Sequence, residues 1–74
     1  NETRRWIEGQ LQRLPLDQRE AIILCCIDNV DQREAANMLQ IPLGTLKTNL
    51  RRARLQLTEA LQRRNRMIER EEAQ

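Results

Sequence analysis

The apolar residues of this chain recur at intervals of three and four positions, which is the spacing of one face of an α-helix. The pattern is interrupted three times, at Pro15, at Asp28-Asn29 and at Ile41-Pro42. Proline ends a helix or begins a new one, and an Asp-Asn pair is typical of a turn. The pattern therefore predicts four helices, over residues 3–13, 17–27, 32–40 and from the restart at Pro42 towards residue 66 or beyond.

Each predicted helix carries an apolar stripe that faces inward. The fourth helix has the longest stripe, formed by Leu46, Leu50, Ala53, Leu57 and Leu61. The second helix has a nearly continuous apolar run, so we expect it to be the most buried of the four. The inward-facing residues of the first and third helices are predicted to be Ile7, Leu11, Leu14, Ala35, Ala36 and Leu39. The sequence thus predicts an all-α, four-helix domain whose third helix is short and whose fourth helix is long and basic.

The ends of the helices carry their own signals. Asp17 and Asp31 each precede an acidic residue by three positions, which predicts N-caps with a capping-box arrangement. The last residues, 65–74, are mostly charged or polar, and we expect this tail to fray.

Composition excludes several classes of function. A chain of 74 residues forms one small domain, which we assign to residues 1–74. It contains no His, and its two cysteines, Cys25 and Cys26, are adjacent, so a metal site or thiol catalysis lacks the residues that it needs. We predict that the domain is not an enzyme and uses no metal, cofactor or small-molecule substrate. Both cysteines are expected to pack as reduced side chains in the cytoplasm, and no apolar run predicts contact with a membrane.

The net charge of +2 is unevenly distributed along the chain. Residues 1–46 include five Arg and seven acidic residues, whereas residues 47–66 include seven basic residues and the single acid Glu59. A basic segment of this kind suggests a polyanionic partner, and the alternative is a charged helix face that is simply solvated.

The basic residues gather on the outer face of the fourth helix. Steps of about 100° per residue place Thr48, Arg51 and Arg52 opposite the apolar stripe, with Asn49 at one edge. A helix fits the DNA major groove, where Arg recognises guanine, Asn recognises adenine and Thr contacts either kind of base edge. A short helix, a brief turn and a second helix with such residues near its start form a helix-turn-helix. The alternative is an amphipathic helix whose polar face keeps a small bundle in solution.

The same residues resemble region 4 of bacterial sigma factors, most closely the extracytoplasmic-function group. The segments LPLDQREAIIL, REAANMLQIPLGTLKTNL and RRARLQL correspond to successive parts of that region. The resemblance spans roughly residues 14–61, and GTLK followed by RRAR at this offset is its most specific part.

The resemblance implies a role in transcription initiation. It implies that the domain binds the −35 element of promoter DNA, docks on the flap of the RNA polymerase beta subunit and can be sequestered by an anti-sigma factor. Together with the chemistry of the outer face, it assigns Lys47, Thr48, Asn49, Arg51 and Arg52 to base edges or adjacent phosphates. It assigns Arg33, Gly44, Thr45 and Arg54 to DNA phosphates.

Three positions depart from the pattern of the family. The aromatic residue that often precedes the third helix is missing from residues 29–32, and Asn49 replaces a usual Arg. Gln40 stands where Gly is frequent in the turn, which argues against a left-handed backbone at this position.

Two further hypotheses remain open at the level of sequence. The first is a protein-interaction module, for which Trp6 and the outward-facing Leu55 suit a protein partner. The second is a helix-turn-helix domain of the response-regulator type, which shares the turn but usually lacks Arg-Ala-Arg. A steep dependence of binding on salt is expected for DNA and not for an apolar protein interface.

Overall fold

The computed structural model describes residues 1–72, and this part of the chain is helical throughout except for short turns. The helices are α1 (Glu2–Arg13), α2 (Leu16–Ile22), a π-helical segment (Ile23–Ile27) that continues α2, α3 (Gln32–Leu39) and α4 (Leu43–Glu72). The predicted all-α fold with a short third and a long fourth helix is confirmed. The molecule measures 50 × 22 × 18 Å, because α4 extends well past the other helices.

Helix α4 contains 30 residues and includes most of the tail that was expected to fray. Residues 65–72 lie in the helix, and the last two residues of that tail fall outside the described part of the chain. Within residues 1–72, no helix is both long enough and apolar enough to cross a membrane.

The core surrounds the first half of α4. Leu46, Leu50 and Ala53 are at most 1% exposed, in agreement with the predicted stripe. Residues of α2 and α3 pack against them, including the buried Ala35 and Ala36 of α3. Because alanine side chains are small, they allow the backbone of α3 to pack closely against α4.

Helix α1 is less buried than predicted. Leu14, just after the helix, belongs to the core and Leu11 packs against it, but Ile7 is 44% exposed. The prediction for Ile7 is wrong because α1 turns another side towards α4. The guanidinium carbon of Arg64 lies 4.7 Å from the centre of the Trp6 ring, so α1 runs beside the second half of α4.

The predicted stripe of α4 is also wrong at its far end. Leu61 is 47% exposed, whereas Ala60 is 7% exposed. An α-helix has 3.6 residues per turn, so a row of residues spaced three and four positions apart moves gradually around the helix over four turns. Beyond Leu57 only a small surface is covered, and the alanine faces it instead of the leucine.

The second predicted helix is divided between α2 and the π-helical segment. Ala21 and Ile22 in α2 are buried, but none of the residues from Ile23 to Ile27 is. The Asp28 N–H donates to the Ile23 carbonyl at 2.9 Å, a bond between residues five apart. The wider turn changes the direction of the side chains that follow, so the burial of the second helix is concentrated in α2 and does not continue through the π-helical segment.

One of the two predicted N-caps is confirmed in position. Asp31 is the N-cap residue of α3, although its side chain makes no capping hydrogen bond. Helix α2 instead begins at Leu16 after Pro15, so the prediction for Asp17 is wrong. Proline fixes φ at a value suited to the residue before a helix, and Asp17 then lies inside the first turn, where its carboxylate accepts from the Gln18 N–H at 2.8 Å.

The turn between α3 and α4 has a left-handed residue at Gln40, with φ 57° and ψ 43°. The Gln40 N–H donates to the Asn37 carbonyl at 3.1 Å, and the Ile41 N–H donates to the Ala36 carbonyl at 3.0 Å. This pair of bonds is a Schellman motif. The expectation that Gln40 avoids the left-handed region is wrong, because the two hydrogen bonds and the packing of Ala36 hold the backbone there.

Candidate nucleic-acid interface

The first half of α4 exposes two rows of side chains that follow directly from its helical geometry. Residues three and four positions apart stand on the same side of a helix. We call Lys47, Arg51 and Arg54 the cleft row, and Thr45, Thr48 and Arg52 the outer row. All six are exposed or half-buried. The outer row lies on the part of α4 that faces away from the buried Leu46, Leu50 and Ala53, and the cleft row lies between it and one edge of that buried stripe.

The cleft row borders a depression between α4 and the start of α3. The depression has a volume of about 400 Å³, and its lining includes the three basic side chains together with Gln32 and Leu50. The structure therefore brings together three of the predicted site residues around one concave surface. Gln32 was missed by the sequence analysis, and its position directly after the N-cap Asp31 is the signal that could have identified it.

The outer row combines hydroxyl groups with one guanidinium. The Thr48 hydroxyl donates to the Gly44 carbonyl at 3.1 Å, so its proton is already used within the helix. Its oxygen lone pairs remain able to accept a hydrogen bond from another molecule. Gly44 has no atom within 4 Å of the position that a Cβ would take, which leaves the start of α4 open to solvent.

The beginning of α4 is itself suited to an anion. The first intrahelical hydrogen bond joins the Leu46 N–H to the Pro42 carbonyl at 3.0 Å. The N–H groups of the first turn of an α-helix have no partner inside the helix, and the helix dipole favours negative charge there. The exposed Gly44 and Thr45 belong to this turn.

Asn49 does not share this surface. Its side chain is 5% exposed, so the prediction that it contacts DNA bases is contradicted. Asn49 lies about 60° around the helix from Leu46, and the buried arc of α4 is wider than its apolar stripe. Burial of a polar side chain at this position could not be read from the spacing of the leucines.

Arg33 stands apart from the two rows. It is exposed on α3, directly after Gln32, but it does not line the cleft. It belongs to the same end of the molecule without sharing a surface depression with the basic residues of α4.

The basic side chains of the two rows have no carboxylate partner among the described residues. The salt bridge found within the described residues lies elsewhere, on α1, where Arg4 Nε is 3.8 Å from Glu8 Oε1. Like charges four positions apart destabilise a helix by about 0.2–0.5 kcal/mol per pair. The cleft row therefore carries a small cost in stability that an anionic partner would remove.

Arg54 makes an additional contact that sequence reasoning missed. Its Nη2 donates to the sulfur of Cys26 at 3.6 Å, across from the end of the π-helical segment. Cys26 is exposed, so the expectation that both cysteines pack as small apolar side chains is wrong for Cys26. Cys25 does pack against the core, and this burial, together with the neighbouring Cys26, raises the pKa of the Cys25 thiol.

A polar contact fixes α2 against α4 just after the two rows. The Gln56 amide nitrogen donates to the side-chain oxygen of Gln18 at 2.7 Å, and Gln18 is only 9% exposed. A hydrogen bond in a partly buried site restricts both side chains to one arrangement. The helix that carries the two rows is therefore held by packing on one side and by this bond further along.

Comparison with known proteins agrees with the geometry of this site. No curated protein sequence matches the chain significantly. Residues 4–57 match the model of the family described as sigma-70, region 4. This segment contains most of α1, all of α2 and α3, the turn at Gln40 and the part of α4 that carries both rows. Because the match covers 54 of the 74 residues, the chain belongs to the sigma-70 region 4 family, whose members are DNA-binding domains of sigma factors.

Proposed function

We propose that this domain recognises the −35 element of promoter DNA through the first half of α4. The observation that carries the proposal is the surface formed by the cleft row and the outer row. It is basic, it bears hydroxyl groups, and it lacks carboxylate partners among the described side chains. It begins at the start of a helix that follows a short helix and a tight turn, where recognition helices carry the residues that contact base edges.

The two rows suggest different contacts within one major groove. Arg51 and Arg52 are about 100° apart around the helix, so they would face opposite walls or neighbouring base pairs. Each guanidinium can form two hydrogen bonds to guanine. Thr48 would act as an acceptor, because its own proton is bonded to Gly44, and its methyl group can contact thymine.

The remaining residues are suited to phosphate contacts. Lys47 and Arg54 lie at the edge of the helix, and Arg33 extends from α3. The open first turn of α4, with Gly44 and Thr45, offers backbone N–H groups to a phosphate. Such contacts position the protein without reading the base sequence, and we propose that they fix the register of α4 on the duplex. Asn49 is excluded from the proposed set by its burial.

The family also suggests partners and a setting. We propose that the domain acts in the cytoplasm with RNA polymerase, docked on the beta flap, as part of a sigma factor of the extracytoplasmic-function group. An anti-sigma factor is proposed as the regulator of access to the same surface. The family match favours this function over that of a response-regulator domain. The unpaired charges of the two rows favour DNA over a purely apolar protein partner.

A selection on randomised duplex DNA, followed by a salt series on the selected sequence, tests the proposal. We expect a short, unsymmetrical consensus, because a single copy of the domain presents one recognition surface. We also expect log affinity to fall by about 0.9 per unit of log salt for each phosphate that a Lys or Arg neutralises. The three basic residues assigned to phosphates, Lys47, Arg54 and Arg33, then give a slope of about −3.

The other outcomes would each change the assignment. A palindromic consensus would favour a dimeric regulator. Salt-sensitive binding without a consensus would mean that polymerase must position the domain before it reads sequence. Absence of DNA binding at low salt would contradict the proposal and leave the protein-interaction module as the better hypothesis.

A further inference from the structure

Leu55 is an apolar residue on the exposed side of the first half of α4. The other leucines of residues 43–57 belong to the core or pack against it. Leu55 does neither, and its side chain is 59% exposed. A single exposed leucine is ordinary on a protein surface, so the informative observation is where this one stands.

The position of Leu55 follows from the period of the helix. Steps of about 100° per residue place it directly opposite the buried Leu46 and within about 20° of Thr48. Arg51 and Arg52 lie about 40° to one side of it and about 60° to the other. Thr48 and Leu55, about 10 Å apart along the axis, therefore form the centre line of the surface that we assign to DNA.

The charge of α4 shows how far this surface extends. Residues 43–58 contain no Asp or Glu, and Glu59 is the first acidic residue of the helix. Phosphates repel a carboxylate, so Glu59 marks the end of the surface suited to DNA, one turn beyond Leu55. Arg54, directly before Leu55, is exposed and is assigned to a phosphate. Leu55 thus lies inside the basic segment and close to its end.

The major groove offers one apolar group to such a side chain. The base edges there present hydrogen-bond donors and acceptors, together with the C5-methyl group of thymine. The isobutyl group of leucine forms no hydrogen bonds, so against any other base edge it would displace water without replacing the lost bonds. Contact with the methyl group instead removes apolar surface of both partners from water. A leucine on the centre line therefore favours thymine.

We propose that Leu55 reads a thymine in the −35 element by contact with its C5-methyl group. Because Thr48 and Leu55 stand on one line, this thymine lies roughly two to three base pairs from the base that Thr48 faces, at about 3.4 Å per step. The base pairs in between are left to Arg51 and Arg52. The inference rests on the proposed function and adds to it a position of the recognised sequence that the polar contacts do not specify.

The surroundings of Leu55 favour DNA over a protein partner. An apolar protein interface centred on Leu55 would bury the neighbouring guanidinium groups of Arg51 and Arg52, which is costly unless the partner supplies a carboxylate for each. A DNA duplex provides acceptors for both guanidinium groups on guanine and phosphate, and the methyl group for the leucine. One ligand then satisfies all three side chains.

Deoxyuridine tests the contact, because it pairs like thymidine and lacks only the C5-methyl group. Each thymine of the selected duplex is replaced in turn, and affinity is measured by competition with the labelled parent duplex. We expect one replacement to weaken binding of the unaltered domain by about fourfold. In Leu55→Ala the same replacement should change affinity by less than about 1.5-fold, since the side chain that contacts the methyl group is gone.

Two further variants locate the effect. Leu61→Ala removes another exposed leucine of α4 and should retain the full sensitivity to deoxyuridine. Selection repeated with Thr48→Ala identifies the base pair that Thr48 faces as the position where preference is lost, and the thymine read by Leu55 should lie roughly two to three base pairs from it. Leu55 and Leu61 occupy exposed helix positions, so the helical circular dichroism signal of both leucine variants should stay unchanged.

Several results would overturn the inference. Equal effects of deoxyuridine in the unaltered domain and in Leu55→Ala, at every thymine, would remove the methyl contact and leave the proposed function intact. A consensus without thymine at the expected distance from the Thr48 position would do the same. DNA binding without a consensus would also overturn it, because a methyl contact by itself creates a preference for thymine. Absence of DNA binding at low salt would remove the proposed function and this inference together.

Discussion

The two halves of α4 belong to one continuous helix but have different surroundings. In the first half, α2 and α3 cover one side completely, and Leu46 and Leu50 are at most 1% exposed. In the second half, α1 lies alongside, and Leu61 is 47% exposed. Both halves are rich in arginine. The comparison shows that neither leucine spacing nor arginine content decides the role of a helical segment, which depends on what packs against its opposite side.

The largest expected effect tests whether the arginines of the two halves are equivalent. The double variant Arg51→Ala, Arg52→Ala should reduce affinity for the selected duplex by about 30-fold or more, because each bidentate contact to a base contributes about 1–3 kcal/mol. The measurement is fluorescence anisotropy of a labelled duplex at fixed salt.

The matched variant in the second half is Arg63→Ala, Arg66→Ala, which removes the same charge. Arg63 lies about 16 Å beyond Arg52 along the axis, which is more than the screening length of about 8 Å at physiological salt. We expect a change of less than about threefold. Equal losses in the two double variants would mean that α4 binds DNA through general charge along its whole length.

The next effect concerns stability. Leu50→Ala should lower the free energy of unfolding by about 2–5 kcal/mol, because it leaves a cavity in the packed core. Leu61→Ala should lower it by less than about 1 kcal/mol, since the side chain is half exposed and alanine favours the helix. Urea unfolding followed by circular dichroism measures both, and similar losses would contradict the described difference between the halves.

A smaller effect separates the turn before α4 from the interior of its second half. Gln40→Gly should raise the free energy of unfolding by about 1 kcal/mol, because glycine adopts the left-handed conformation without steric cost. Gln62→Gly, at an exposed position inside α4, should lower it by about 1 kcal/mol. If both substitutions destabilise equally, the backbone at Gln40 is not left-handed in solution.

The smallest effect tests the contact that joins α1 to the second half of α4. Arg64→Gln removes the guanidinium from the Trp6 ring and should lower the free energy of unfolding by about 0.5–1 kcal/mol. Arg66→Gln, at a neighbouring exposed position, serves as the control and should have no measurable effect. A shift in Trp6 emission is expected for Arg64→Gln alone, and the same shift in both variants would argue against a specific stacked pair.

Much of this architecture could be predicted from the sequence, because the helices of a small domain are defined by apolar spacing and by proline. The breaks at Pro15 and Pro42 mark the starts of α2 and α4 closely. The residues of the cleft row and of the outer row were also predicted, since exposure outside a buried stripe follows from the period of the helix.

The features that were not predicted depend on tertiary packing. Asn49 is buried because the covered arc of α4 is wider than its leucine stripe. The left-handed backbone at Gln40 is stabilised by two hydrogen bonds of the Schellman motif, which outweigh the steric preference of glutamine. The π-helical segment, and with it the exposure of Cys26 next to Arg54, has no signature in residue spacing, because one extra residue per turn is compatible with the same apolar run.

The Schellman turn holds the start of α4 in place, and the helix then continues unbroken to the far end of the molecule. Each residue of an α-helix adds about 1.5 Å and about 100° of rotation, so 30 residues without a kink span about 45 Å with a defined rotational phase. A molecule bound at the far end of α4 therefore has a defined rotation and a defined distance relative to a molecule bound at the near end. Insertion of a single residue after Leu57 would turn one end by more than a quarter of a revolution relative to the other while leaving the chemistry of both ends intact.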